Sequence, residues 1–504
     1  MTNLLSPVFA WLVKQGPLRL SGWIAVASFL FMLLLRILLV GSYAVDLGGI
    51  EQNVVFSISK VVSGEPLYQD PERFHYDITQ YTPVYYLIVV ALAKIFGLHS
   101  LHNAHDFFVL GRSMSLLFDL AGVTLLWLFL RRKWQLNTAW CFIICALEFY
   151  FLTRIHFATR PDSLFALFSL TTVVYVLHLS DQTHTGSRLF GWFWVSLLAC
   201  LALFTKQTGM VFPPLVLLFL FLRRLWKPAL VFSFGYVGLC AMGYFACRSI
   251  WGDWFWKNTF EGIRNGLIPF RAYDVFSHYY LKSEFVFALA LFSIFWMLRF
   301  PRNPIVLWLG LCNLVFFCFA FLTSMKEGSW INYYQESIMS SLLFLGFWLH
   351  SSSAHDSPNP LSGRLGWFAC LSLMIFFPAV LLQKLMHEHM HHIKTPKSVY
   401  DEPQKVASWM NAHVSADGRM FSTNVYVNIM MPKRAVFPNL DLVPSQSPFQ
   451  YRDFEQAVAQ DKIPYIVHSP EFSGFSFLNV AFPHSEVLFS GNNFNVIGLS
   501  PDRK

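Results

Sequence analysis

A succession of apolar runs, each long enough to cross a bilayer, constrains this chain more than any other feature. A hydrocarbon layer of ~30 Å is spanned by ~20 apolar residues in a helix. Such stretches lie at 22–44, 108–130, 138–153, 162–180, 189–205, 208–226, 228–250, 284–300, 304–323, 334–350 and 365–383. They predict about eleven transmembrane helices. Composition agrees: of 504 residues 55% are hydrophobic and 53 are Phe, against 13% charged, more apolar surface than a water-soluble core can bury. Residues 384–504 carry 11 Lys/Arg against 11 Asp/Glu, so the formal +8 belongs to residues 1–383 and describes the membrane part rather than a nucleic-acid arm. The eight Cys lie in or beside apolar runs without Cys-x-x-Cys spacing, which points to neither a disulfide framework nor a zinc site. The first run follows Lys14 and Arg19 and lacks a small-residue cleavage site at its end, so it reads as an uncleaved signal anchor.

One further run, Pro83 to Gly97, is either a span or a helix in the interface, and charge decides between them. If it does not cross and the N-terminus is inside, the short cytoplasmic loops collect Arg131, Arg132, Lys133, Arg188, Arg223, Arg224, Lys227, Arg299, Arg302 and Arg364. That pattern obeys the positive-inside rule, whereas a crossing would move both basic clusters outside. Every long loop then faces the exterior. The first, 45–107, holds an amphipathic stretch Glu51–Ser63 and the apolar 83–97 piece, both expected flat on the bilayer. The second, 251–283, is rich in Trp and Tyr, as at a membrane surface. The longest cytoplasmic loop, about Ser351–Arg364, is too short for a nucleotide-binding domain.

After Gln383 apolar density falls. Helices are expected at Pro403–His413 and Phe454–Gln460, and strands near Arg419–Val427, Ala435–Phe437, Pro464–His468 and Asn493–Leu499. The expected fold class is therefore an all-α polytopic membrane domain, 1–383, followed by a small α/β extracytoplasmic domain, 384–504.

Ionisable groups beside lipid are costly and ask for a reason. Here they gather at one expected level. Asp46 and Glu51 follow the first helix; Arg160-Pro161-Asp162 occupies the turn between the third and fourth spans; Thr205-Lys206-Gln207-Thr208 forms the next external turn; Lys326-Glu327-Gly328-Ser329 another, followed by Asn332-Tyr333-Tyr334. A carboxylate in such a place can deprotonate a hydroxyl, and Arg or Lys can hold a phosphate leaving group. Together they suit glycosyl transfer from a sugar on a polyprenyl phosphate, since there is no cytosolic domain for a nucleotide sugar. Plainer readings stand beside these: Asp46, Glu51 or Asp162 as helix caps, Lys206 as a snorkelling anchor, and Lys326 as the marker of a span end. The tract His387-Glu388-His389-Met390-His391-His392 has metal-ligand spacing but reads as a solvated juxtamembrane turn. Asp119 and Glu148, inside spans, read as paired structural groups.

Seven motifs in order carry a resemblance: Asp46 with Glu51; Ser63-Gly64-Glu65-Pro66-Leu67-Tyr68; Tyr81-Thr82-Pro83-Val84-Tyr85-Tyr86; Gly111-Arg112; Arg160-Pro161-Asp162-Ser163-Leu164; Thr205-Lys206-Gln207-Thr208; and Lys326-Glu327-Gly328-Ser329 with Asn332-Tyr333. In them the chain resembles the GT-C superfamily of lipid-phosphate-sugar-dependent membrane glycosyltransferases, in the bacterial branch similar to protein O-mannosyltransferases, aminoarabinose lipid A transferases and galacturonic acid transferases. The resemblance implies an external first loop bearing the catalytic carboxylate and inverting transfer from a polyprenyl-phosphate sugar to an envelope glycolipid, polysaccharide or protein. It also implies an inner-membrane, multi-pass enzyme with its active site outside the cytoplasm. Family members commonly carry an adjacent acidic pair, whereas Asp46 and Glu51 are five apart, which leaves either as the base. Arg112, Arg160, Lys206 and Lys326 are the expected donor-phosphate ligands, and Tyr81, Asp162, Asn332 and Tyr333 the expected substrate contacts. No cofactor is implied, and a metal is not indicated. A transporter or flippase, the rival class, calls for polar groups and broken helices near the bilayer midplane; an envelope scaffold leaves the aligned external charges unexplained.

Overall fold

The computed structural model describes residues 17–181, 188–262, 266–277, 284–326, 329–354, 377–436, 438, 463–468, 485–490 and 494–499. Its apolar runs form α1 (Pro17–Val40), α4 (Ser100–Arg132), α5 (Thr138–Ile155), α6 (Asp162–Asp181), α7 (Arg188–Thr205), α8 (Phe212–Leu222), α9 (Trp226–Trp251), α11 (Glu284–Arg299), α12 (Pro304–Thr323) and α13 (Gln335–Ala354). Between the first two of these lie α2 (Glu51–Val62) and α3 (Pro83–Ile95), and α10 (Pro269–Val275) follows α9. Six of the described helices are long and apolar enough to cross a membrane, and the chain is a multi-pass membrane protein. The run at 365–383 lies mostly outside the described residues, as does the helix expected at Phe454–Gln460.

Local sequence explains where these helices begin. Asn137 accepts from the Ala139 amide, and Asn303 accepts from Ile305 and Val306 ahead of Pro304 at the first helical position. The charged residues inside the bundle find partners, as burial in a low-dielectric layer requires. Arg36 of α1 meets Asp119 of α4 at 2.9 Å and also donates to the carbonyls of Leu152 and His156, tying α1, α4 and α5 together. Glu148 accepts from Gln335 at 2.9 Å, so the paired reading of Asp119 and Glu148 agrees with the contacts found. Asn313 links Ser293 and Ser341 across α11, α12 and α13.

α4 is 33 residues long, roughly 50 Å at 1.5 Å per residue, and so overshoots the hydrocarbon layer. Its N-terminal turns, with α2, receive the C-terminal part of the chain. There α14 (Gln383–Ile393), α15 (Ser398–His413) and α16 (Val425–Met430) precede and flank a five-stranded sheet of order β2-β1-β3-β5-β4. Its strands are β1 (Met420–Ser422), β2 (Ala435–Val436), β3 (Tyr465–His468), β4 (Ser485–Ser490) and β5 (Asn495–Leu499). β1 pairs in parallel with β2 and β3, and β5 runs antiparallel to β3 and β4. The Tyr426 hydroxyl donates to Tyr43 O at 3.0 Å, Ser59 to Ile429 O at 2.6 Å, and Tyr400 to His102 O at 3.1 Å. One hydrophobic cluster runs through both regions, joining Val55, Tyr85 and Phe107 to Met410, Tyr426 and Ile429.

Two sequence expectations are corrected here. The strand expected over Arg419–Val427 ends at Ser422, because Asn424 then caps α16 by accepting from the Val427 amide. The histidine tract expected as a solvated turn is the helix α14, with His389 only 1% exposed against the Phe157 ring at 4.3 Å. Neither β4 nor α10 was expected from local pattern.

Candidate active site

The loop after α1 places two carboxylates in opposite circumstances. Gly49 and Ile50 both adopt left-handed backbone (φ 64° and 59°), an uncommon state for a β-branched residue. This tight turn folds residues 46–51 back so that Asp46 Oδ1 accepts from the amides of Gly48 and Glu51, each at 3.3 Å. Glu51 opens α2 and points inward. Its Oε1 accepts from Arg112 Nε and the Thr159 amide, both at 2.8 Å, and its Oε2 accepts from Arg112 Nη2 and the Leu47 amide, both at 2.9 Å. Arg112 also donates to Ser42 O and Ala44 O at 2.6 Å. Both side chains are 0% exposed. The close approach needs Gly111: a Cβ there would lie 2.1 Å from Thr159, the residue whose amide reaches Glu51.

Burial alone would raise the Glu51 carboxyl, but the Arg112 guanidinium and the two amides hold it below the ordinary range. Asp46 is only partly covered, yet burial and the Glu51 charge push it up to about 6. Of the two expected bases, Asp46 therefore keeps an oxygen without a hydrogen-bond partner among the described residues and titrates near 6, while Glu51 has every lone-pair direction engaged. Arg112, expected at the donor phosphate, has all three guanidinium nitrogens committed to Glu51 and the first-loop carbonyls.

The other expected residues converge on Asp162, at the start of α6. Its Oδ1 accepts from Lys206 Nζ at 2.7 Å and Asn332 Nδ2 at 2.8 Å, and its Oδ2 lies 3.1 Å from Arg160 Nε. Arg160 donates to Gly48 O at 2.8 Å, two residues from Asp46, and approaches the Tyr81 hydroxyl at 3.5 Å. Asp46, Arg160, Tyr81, Asp162, Lys206 and Asn332 thus form one linked layer from five separate segments. The Lys206 ammonium sits 5.0 Å from the centre of the Tyr333 ring. Lys326 stands beside it without an ion-pair partner among the described residues, and burial together with the Lys206 charge lowers its ammonium to about 8. Glu327 and Gly328 lie outside the described residues.

Several contacts around the layer had no distinct sequence signal. Thr159 contributes through its amide, and Gly48 through its carbonyl, which any residue type supplies. Lys60 and Asp77, fully buried and 2.6 Å apart, brace the first loop; a Lys in an otherwise apolar helical stretch was the available hint.

No protein-family model and no curated protein matches the sequence. Solved structures do. ArnT from Cupriavidus metallidurans bound to undecaprenyl phosphate aligns over 96% of this chain and 99% of its own, with a TM-score of 0.59 at 12% identity. The oligosaccharyltransferase of Archaeoglobus fulgidus in its apo form aligns over 91% of this chain and 70% of its own, with a TM-score of 0.58 at 12% identity. The same archaeal enzyme, AglB, in complex with an inhibitory peptide and a dolichol-phosphate, aligns over 88% and 69%, with a TM-score of 0.53 at 12% identity. The chain shares the fold of these membrane proteins.

Proposed function

We propose that this chain is an integral-membrane glycosyltransferase that moves a sugar from a polyprenyl-phosphate donor to an extracytoplasmic envelope acceptor. The reading rests on one observation above all: a partly covered Asp46, raised to about 6, lies beside Arg160 in a layer that continues to Lys206 and Lys326. Its support from the fold is that the similar structures hold undecaprenyl phosphate in ArnT and a dolichol-phosphate in AglB.

In this reading Asp46 accepts the proton of an acceptor hydroxyl as its oxygen attacks the anomeric carbon. The bond from that carbon to the phosphate oxygen breaks, the configuration inverts, and the polyprenyl phosphate leaves with the bonding electrons. Arg160, Lys206 and Lys326 stabilise its charge by hydrogen bonds in a site poor in water. Asp162 aligns Arg160 and Lys206, and Tyr81, Asn332 and Tyr333 frame the sugar. Glu51 and Arg112 hold the first loop in shape. The reading includes about eleven spans, a cytoplasmic N-terminus, and a division at about residue 383 into the membrane domain and an extracytoplasmic domain that helps position the acceptor.

The direct test compares envelope glycolipids and glycans by mass spectrometry in cells with the gene, without it, and with Asp46→Asn. Loss of one glycosylated species in both altered strains is expected; an unchanged profile in the deletion refutes the assignment. For orientation, an impermeant thiol reagent added outside should label Ser408→Cys and spare Thr183→Cys; the opposite pattern overturns it.

A further inference from the structure

Tyr81 projects from a segment, 79–82, that has no regular structure, yet each of its residues is hydrogen-bonded to one of three other segments, around residues 67–68, 203–207 and 258. The Thr79 amide donates to Asn258 Oδ1 at 2.9 Å, and the Thr79 hydroxyl to Leu67 O at 2.9 Å. Gln80 O accepts from Gln207 Nε2 at 2.5 Å. Tyr81 O accepts from the Tyr68 hydroxyl at 2.7 Å, and the Thr82 hydroxyl donates to Leu203 O at 2.9 Å. Two of these ties come from buried amide side chains that each grip further backbone. Asn258 Nδ2 donates to Gln69 O at 2.7 Å and to Trp254 O at 2.9 Å, so this one side chain, 1% exposed, joins both ends of the 69–79 excursion to the loop after α9. Gln207 Nε2 donates also to Thr259 O at 2.8 Å, next to Asn258.

Asn258 sits on a π-helical turn, Lys257–Glu261, a backbone form that appears mostly as single turns and frequently at functional sites. The packing around it is tight. A Cβ on Gly262 would lie 2.8 Å from Ile78, and the Tyr68 ring packs edge-on against Trp251 and Phe255 at 5.1 and 5.4 Å. A buried amide with all its hydrogen bonds made is costly to disturb, because removing it strands the partners it satisfied.

We propose that Asn258 and Gln207 are positioning residues for the transfer reaction: together they clamp segment 79–82 so that the Tyr81 hydroxyl meets Arg160 in the charged layer. The clamp makes the first loop and the loop after α9 a single unit around the site, although neither amide belongs to the charged layer itself. This inference rests on the transferase reading for its activity arm and stands independently of it for its structural arm.

The experiment uses the full chain in lipid nanodiscs and in cells. In hydrogen exchange, Asn258→Ala and Gln207→Leu should each speed exchange across 78–82 while the amides of Leu47 and Thr159 stay protected. In cells complemented with the same variants, the glycosylated product should fall by roughly 10–100-fold, the scale of a small misplacement of a reacting group. The double variant Asn258→Ala/Tyr81→Phe should be no worse than Tyr81→Phe alone, a coupling that a merely structural role would not produce. Unchanged exchange across 78–82 in both single variants, or losses that multiply in the double variant, overturns the clamp. If Asn258→Ala fails to assemble, Gln207→Leu with its own Tyr81→Phe double carries the same test. If the glycolipid profile does not depend on the gene at all, the transferase reading fails while the exchange measurement still decides the clamp.

Discussion

Two carboxylate–cation groups lie close together on this protein, built from the same residue types and satisfied to different degrees. In the first, Glu51 and Arg112 exhaust one another: two side-chain contacts, two amides and two carbonyls leave no valence open and no surface exposed. In the second, Asp46, Arg160, Asp162, Lys206 and Lys326 are linked but unfinished. Asp46 remains partly uncovered, Arg160 Nε and Asp162 Oδ2 face each other at 3.1 Å without a well-aligned hydrogen bond, and Lys326 has no ionic partner among the described residues. A saturated buried pair confers shape, since breaking it strands a charge; an unsaturated one retains the capacity to bind and to exchange a proton. Residue type alone does not separate the two cases, and the count of satisfied hydrogen bonds does.

That contrast can be broken in order of expected effect. Asp46→Asn should lower transfer by about 10²–10⁴-fold, the usual reach of a positioned base, with the thermal midpoint in detergent unchanged. Glu51→Gln should instead lower the midpoint, and a variant that kept wild-type stability yet lost activity would reverse the roles. Arg112→Met should destabilise the protein by about 3–5 kcal/mol by leaving Glu51 buried and unpaired, and Arg112→Lys should rescue little because a point charge cannot replace the two-pronged contact. Lys326→Gln should weaken binding of undecaprenyl phosphate by about 10–100-fold, the worth of one charged hydrogen bond, and leave stability alone; equal affinity would remove Lys326 from the phosphate site.

The pH profile sharpens the same point. In the proposed reading Asp46 acts when deprotonated, so activity should rise as pH climbs through about 6, and Lys326 acts when protonated, so activity should decline as pH passes about 8. Asp46→Asn should abolish the acid limb in whatever activity remains, and Lys326→Gln the alkaline one. The smallest effect is expected from Tyr333→Leu, which removes the ring beneath the Lys206 ammonium: about 0.5–1 kcal/mol, or roughly 2–5-fold in undecaprenyl phosphate affinity.

What the sequence by itself determined follows from one-dimensional pattern. Most of the apolar runs set the described helices to within a few residues, although α4 begins eight residues before its run; Pro83 and Pro304 open their helices as proline at a first turn should, and charges stranded among apolar residues foretold their pairing. The residues of the charged layer were legible for the same reason, because an Arg or Asp beside lipid is expensive enough to stand out. Only the tertiary structure decided their surroundings. Asp46 and Glu51 are equally acidic and five apart, and what divides them is a left-handed turn at Gly49–Ile50, a backbone amide from Thr159 and an Arg 61 residues away. Likewise the clamp through Asn258 and Gln207 depends on loops separated by 179 and 127 residues, and α16 replaced part of an expected strand once Asn424 supplied its cap. Short-range pattern fixes helix and span through local backbone and solvent preferences; which carboxylate stays free depends on hydrogen bonds between distant segments, and those exist only after the chain has packed.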